Sequence, residues 1–195
     1  VGDMVVTGIA GGEYGARGFV DAYDTDTGKM LWRRYTVPSE GEKGVETWAG
    51  DSWKTGGGPT WAIGTYDPQS NTLYWPVGNP SPDWNGDVRE GDNLYTNSVL
   101  ALEPETGEMK WYFQFTPHDM WDYDATNGLI IDDIVVDGKT VRALMQPNRN
   151  GYVYVLDATT GAYIKAFQYT DRLTWSTGLD GDGRPQVNPE AVPKA

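Results

Sequence analysis

Apolar and polar positions alternate in short runs broken by acidic, glycine-bearing turns, and no heptad or sustained 3.6-residue period appears. One unit recurs. Ala22-Tyr23-Asp24-Thr25-Asp26-Thr27-Gly28 leads into Met30-Leu31-Trp32, and Ala101-Leu102-Glu103-Pro104-Glu105-Thr106-Gly107 leads into Met109-Lys110-Trp111. Val155-Leu156-Asp157-Ala158-Thr159-Thr160-Gly161 leads into Tyr163-Ile164-Lys165, and a degenerate copy, Thr65-Tyr66-Asp67-Pro68-Gln69-Ser70-Asn71, precedes Leu73-Tyr74-Trp75. Each copy predicts a strand, an acidic turn with Gly or Asn where positive φ is easiest, and a returning strand. Gly28, Asn71, Gly107 and Gly161 lie 43, 36 and 54 residues apart. Spacings near this length are those of a four-stranded propeller blade with variable loops. A β-sandwich with similar hairpins is the alternative. A Trp four residues after the turn Gly is expected to pack between neighbouring blades.

Three segments are too long and too rich in Gly, Pro and Trp for simple turns: Val37 to Trp61, Gly78 to Asn93, and Phe115 to Gly128. Long loops on a repeat fold are usually functional or disordered, and Trp48, Trp53, Trp61, Trp84 and Trp121 argue for order. The tail Gly178-Leu179-Asp180-Gly181-Asp182-Gly183 resembles the start of a calcium loop. The twelfth position from Asp180 is Ala191 rather than Glu, so a turn is expected. The chain begins within an apparent strand, Met4-Val5-Val6, and residues 188–195 close no recognisable element, so both ends read as cut from something longer.

Composition narrows the chemistry. The net charge of -13 argues against nucleic acid and suits cations. Cysteine is absent, which removes disulfides, thiol nucleophiles and thiolate metal sites. His118 is the only histidine and no Gly-X-Ser-X-Gly elbow occurs, so neither a hydrolase triad nor a zinc site is expected. No apolar run approaches transmembrane length and no signal peptide is present.

What remains is hard oxygen and aromatic platforms. Trp121-Asp122-Tyr123-Asp124 sets two carboxylates at i and i+2, which an extended backbone would project to one side. A solvated acidic turn is the plainer reading. Glu13 sits among glycines in Gly11-Gly12-Glu13-Tyr14-Gly15-Ala16-Arg17-Gly18, a run that lets backbone approach a ligand or simply forms a bulged crossing. Gly56-Gly57-Gly58-Pro59-Thr60-Trp61 ends on a side chain able to stack under a planar ligand, although core packing is the default for Trp. Gly78-Asn79-Pro80-Ser81-Pro82 offers one amide oxygen, and Arg149 a clamp for a carboxylate or carbonyl. The inventory suits a hard cation beside a planar cofactor.

Together, in this order and over nearly the whole chain, these motifs resemble the quinoprotein alcohol dehydrogenases, the pyrroloquinoline quinone (PQQ) enzymes of the methanol and ethanol dehydrogenase group. The resemblance implies an all-β, eight-bladed propeller with PQQ on its axis. Residues 1–195 would be an internal part of about three to four blades. It implies that Gly11 and Gly12 line the cofactor site, Trp61 lies under the rings, and Arg149 hydrogen-bonds the quinone oxygens. Glu13, Asn79, Asp122 and Asp124 would bind the metal, with Asp122 also the base that takes the hydroxyl proton of a primary alcohol. The family's calcium members typically carry an uncharged residue where Asp124 stands, and its lanthanide members carry Asp. A trivalent ion of calcium-like size better offsets the added carboxylate, so a lanthanide is expected over calcium. A small alcohol, an electron-accepting cytochrome c and a periplasmic location are likewise implied. The family's adjacent-cysteine disulfide is missing, and no haem-binding Cys-X-X-Cys-His occurs. The family's remaining blades also lie outside this stretch, which is not expected to close a complete cofactor pocket or to be active as an isolated chain. A non-catalytic propeller scaffold of PQQ-like repeats is the alternative, and a carbohydrate-binding module using the Trp-rich loops a third.

Overall fold

The computed structural model describes residues 1–193. Among the described residues the hairpins resolve into three antiparallel meanders and a two-stranded pair. β1 (Met4–Gly8), β2 (Phe19–Asp24) and β3 (Met30–Tyr35) form the first sheet. β4 (Thr65–Asp67), β5 (Thr72–Pro76), β6 (Ser98–Leu102) and β7 (Met109–Gln114) form the second. β8 (Ile130–Val136), β9 (Lys139–Pro147), β10 (Tyr152–Asp157) and β11 (Tyr163–Gln168) form the third. β12 (Ser176–Leu179) and β13 (Pro185–Val187) pair at the end, around the turn expected at Asp180. Among the described residues there is no α-helix, only short 3-10 turns, and so none long and apolar enough to cross a membrane. The all-β reading and the blade-like four-stranded meander are both borne out.

The second sheet shows why its strands carry near-continuous apolar runs. β5 and β6 are buried on both faces. Leu73 pairs with Leu102 and Trp75 with Leu100, and these face Val20, Ala22 and Trp32 of the first sheet. The alternate positions, Tyr74, Val99 and Ala101, face Leu144, Tyr154 and Leu156 of the third. A strand wedged between two neighbours has no polar side to offer, so its sequence loses the period of two.

The repeated turns make the joints between sheets. Trp32 Nε1 donates to Pro104 O at 2.9 Å, and the indole lies on Gly107, where a Cβ would come within 2.5 Å of the ring. Trp111 repeats this one sheet on. Its Nε1 donates to Ala158 O at 3.2 Å, and it covers Gly161 at the same 2.5 Å. Both glycines also have positive φ, 70° and 76°, so one residue type satisfies the turn and the seat at once. The hairpin at Asn71 is different. It joins β4 to β5, whereas Gly28, Gly107 and Gly161 lie at the β2–β3, β6–β7 and β10–β11 turns. The fourth copy is therefore a second hairpin of the same sheet, because similar turn chemistry serves any β-hairpin whatever its place in a meander.

An ion pair also ties the second sheet to the third. Arg142 on β9 donates to both oxygens of Asp67 on β4, at 2.8 and 3.2 Å, and the Asp67 side chain is fully buried. The guanidinium holds the Asp67 carboxyl below its ordinary value, against the opposing effect of burial. A depressed carboxylate pKa gives stability that is complete above the unfolded value and is lost as pH falls through the folded one. Asp67→Asn in the full-length protein is expected to cost about 1.5–3 kcal/mol at neutral pH. The wild-type advantage shrinks below about pH 4, as heat-unfolding midpoints across a pH series would show.

The three long loops are built rather than loose. Trp48 is buried and donates to Leu94 O at 2.6 Å, and Trp121 stacks on Tyr123 with centroids 5.9 Å apart. Trp61 and Trp84 stand exposed.

Candidate functional site

The Gly-rich segment 56–60 is threaded between two other loops by its peptide groups. Gly57 N–H donates to Ala16 O and Gly18 N–H to Gly57 O, at 3.0 and 2.8 Å. On the opposite side Gly58 N–H donates to Asn79 O and Ser81 N–H to Gly56 O, at 2.8 and 2.9 Å. The glycines let backbone meet backbone: a Cβ on Gly57 would lie 2.8 Å from Ser81 N. Their absence of side chains is thus used by the protein itself. Pro59 then joins the three loops. Gly12 packs where a Cβ would come within 2.6 Å of the Pro59 ring, and Gly78 N–H donates to Pro59 O at 2.8 Å.

Gly78 places Asn79 against the acidic loop. A Cβ on Gly78 would approach Asp124 Oδ1 to 2.4 Å, and that same oxygen accepts from the Asn79 N–H at 2.9 Å. Asn79 is buried. Its Nδ2 donates to Asp83 Oδ1 at 2.6 Å and to Pro80 O at 3.2 Å, while its buried Oδ1 has no partner among the described residues. Arg149 reaches the same place from the turn after β9. Its Nη1 is 3.5 Å from Asp124 Oδ2 and its Nη2 3.8 Å from Asp122 Oδ2.

The two carboxylates converge by a different route from strand alternation. Asp122 has φ 59°, a left-handed kink, so the stretch is not extended. The kink is enforced by Asp119, buried behind it, whose two oxygens accept from Trp121 N at 2.8 Å, Tyr123 N at 2.7 Å and Asn97 Nδ2 at 2.6 Å. Non-glycine residues held at positive φ concentrate where function constrains the backbone. The plainer reading of a solvated acidic turn fails for Asp124, whose side chain is only 9% exposed.

Burial and mutual repulsion raise these acids together. Asp124 is pushed up to about 6, chiefly by burial, with Asp122 adding repulsion and Arg149 and the Asn79 N–H opposing it. Asp83 also rises to about 6, through burial and then the charges of Glu13, Asp122 and Asp124. Asp122 is raised by burial and by Glu13, with Arg149 lowering it. Four carboxylates therefore share one field, with Arg149 beside Asp122 and Asp124 and Arg89 acting on Asp83, so negative charge exceeds positive and the arrangement favours a cation.

The expected site residues divide in two. Asn79, Asp122, Asp124 and Arg149 form one contact chain. Glu13, on the 3-10 turn Gly12–Tyr14 between left-handed Gly11 and Gly15, is exposed and joins them through its charge rather than through a contact. Trp61 lines a shallow pocket of about 200 Å³ with Thr60, Ile63 and Trp75, its indole 55% exposed. Among the described residues no three acidic or imidazole side chains enclose an ion unaided. The unpartnered side-chain oxygen of Asn79, a residue whose backbone N–H bonds Asp124, is what fits a hard cation, and it supplies a neutral donor such a cluster lacks.

The model of the PQQ-type glucose/ethanol/alcohol dehydrogenase β-propeller domain matches residues 1–171. The chain belongs to this dehydrogenase family. It is 46% identical to the quinoprotein alcohol dehydrogenase PedH of Pseudomonas putida over 100% of the chain and 35% of that protein. To the lanthanide-dependent methanol dehydrogenase of Methylorubrum extorquens it is 39% identical, over 96% of the chain and 35% of the relative. A solved europium-containing methanol dehydrogenase superposes with a TM-score of 0.92 at 37% identity, covering 97% of the chain and 36% of the other. The chain spans about a third of the length of the curated relatives it matches.

Several residues that build the site carry no motif of their own. Arg89, fully buried, donates to Pro82 O and Asp83 O at 3.0 Å, to Asn93 Oδ1 at 2.7 Å and to Asp119 O, so one side chain binds the Asn79 loop to the Asp122 loop. Burial pulls its guanidinium down to about 10, with Asp119 and Asp83 opposing that. Gln146 Nε2 donates to Ala125 O at 2.8 Å, and Asn150 Nδ2 to Phe115 O at 3.1 Å. Those bonds fix the Arg149 turn against the acidic loop. A dense run of amides, Gln146-Pro147-Asn148-Arg149-Asn150, was the available sign.

Proposed function

We propose that the full-length protein oxidises a primary alcohol to an aldehyde using PQQ and a bound cation, and that residues 1–195 are a propeller part carrying much of the metal side of the site. The observation that carries this reading is the buried, unpartnered side-chain oxygen of Asn79, a residue bonded through its backbone N–H to the raised Asp124 carboxylate that Arg149 clamps. When bound, PQQ would supply a two-electron hydride acceptor and the cation Lewis-acid polarisation. Glu13, Asn79, Asp122 and Asp124 hold the cation through hard oxygens. Arg149 stabilises negative charge on the acids and would hydrogen-bond the quinone oxygens. Trp61 would lie under the quinone rings as a flat apolar surface, and Gly11 and Gly12 would line the cofactor site with backbone alone. Asp122 Oδ takes the hydroxyl proton, and Arg149 favours its ionised state against burial.

A lanthanide is the proposed cation. Asp124 adds a carboxylate to a place where Asp122 and Asp83 already repel it, and the higher charge offsets that repulsion more strongly. The full-length apoenzyme loaded with PQQ is expected to turn over a small alcohol faster with lanthanum or cerium than with calcium. Dye reduction read against each metal is the test, and equal or better activity with calcium overturns the lanthanide assignment. No alcohol-dependent reduction with any metal and PQQ overturns the enzyme reading. A cytochrome c acceptor and periplasmic placement accompany the same proposal.

A further inference from the structure

Asn79 uses its carboxamide at one end only. The amino group is engaged twice, by Asp83 Oδ1 at 2.6 Å and Pro80 O at 3.2 Å, while the oxygen has no partner. The amide cannot be turned over. Reversed, its oxygen would face a carboxylate and a carbonyl, both acceptors, and an NH2 would occupy the unpartnered position. Asp83 is itself fixed. Its carbonyl accepts from Arg89 Nη2 and the preceding Pro82 carbonyl from Arg89 Nε, both at 3.0 Å, and the prolines at 80 and 82 stiffen the turn that returns it to Asn79.

We propose that Asp83 is a positioning residue for the cation: it grips the Asn79 amino group so that the amide oxygen is presented to the metal. This rests on the reading above that Asn79 is a cation donor. The logic is that of a carboxylate bonded to the far side of a metal-binding imidazole, transferred to an amide. A short hydrogen bond from Nδ2 to an anion also draws charge onto the amide oxygen and makes it a better donor. No motif marks Asp83. It follows a Ser-Pro pair in a polar run, and only the fold returns its carboxylate to Asn79.

The test is terbium(III) alone titrated into the metal-free full-length protein, read by tryptophan-sensitised luminescence, with heat unfolding of each metal-free variant alongside. Asp83→Ala is expected to weaken terbium binding about 10–100-fold while the metal-free unfolding midpoint stays at the wild-type value. Asp83→Asn keeps an oxygen able to accept from Asn79 Nδ2 and is expected to recover most of that loss. Wild-type affinity in Asp83→Ala overturns the proposal. So does an Asp83→Asn variant as weak as Asp83→Ala, because charge rather than orientation then carries the effect. Asn79→Ala separates the two levels. Undiminished terbium binding there overturns the donor reading itself, whereas loss there with none in Asp83→Ala overturns only the positioning role.

Discussion

Asp122→Asn in the full-length enzyme, saturated with PQQ and metal, is expected to lower kcat by about 10²–10⁴, the span associated with removing a positioned general base. Asn is a demanding choice of replacement. It tolerates the left-handed backbone that Asp122 adopts at φ 59°, and it keeps the side-chain shape and one oxygen for the cation. What it loses is basicity. Quinone absorbance and the unfolding midpoint should therefore remain near wild type while turnover collapses. Turnover within about tenfold of wild type, with both groups bound, would remove Asp122 from the proton-transfer role.

The second large effect is structural and lies at Arg89. Arg89→Met keeps most of the length and apolar stem but strips the guanidinium from four acceptors, the Pro82, Asp83 and Asp119 carbonyls and Asn93 Oδ1. It also takes the cation from beside the Asp119 carboxylate, which burial already raises. Removing one member of a buried charged set costs about 3–5 kcal/mol, because the remaining polar groups stay buried and unpaired. The expected outcome is a large fall in the denaturation midpoint of the full-length protein, with Arg89→Lys only partly restored, since a single ammonium cannot match a planar fork. A midpoint unchanged in Arg89→Met would mean that the two loops are held by their backbones alone.

The fold was legible where its determinants are local. Asp24 and Asp157 bond the amides of their own turns, so the hairpins announce themselves in a few residues. Which sheet a hairpin joins is a matter of long-range pairing, and that is why Asn71 read as a further repeat although it belongs to the same sheet as Gly107. The site shows the same division. Asp122, Asp124, Asn79 and Arg149 stand in compact motifs, and the structure brings them into contact. Their convergence, however, depends on a kink held by Asp119 and not on strand alternation. Arg89 sits in an ordinary polar run, Gly86-Asp87-Val88-Arg89-Glu90, and nothing along the chain separates it from exposed arginines. Its importance comes from burial, which only the folded chain displays. In the Gly-rich segment 56–60, the space beside Gly57 is taken by the Asn79–Ser81 backbone and that beside Gly58 by the Thr36 and Val37 side chains, which no local pattern announces.

That threaded frame has an evolutionary corollary. Segment 56–60 is held to its two flanking loops through peptide N–H and C=O groups, which are indifferent to side-chain identity but sensitive to count. One residue inserted between Gly56 and Pro59 would shift every rung and carry Asn79 out of register with Asp124. Exposed positions on the same loops, such as Tyr14 and Trp84, carry no such burden. Relatives adapting to new alcohols are free to vary the surface of these loops, and their lengths should be the part that descent preserves.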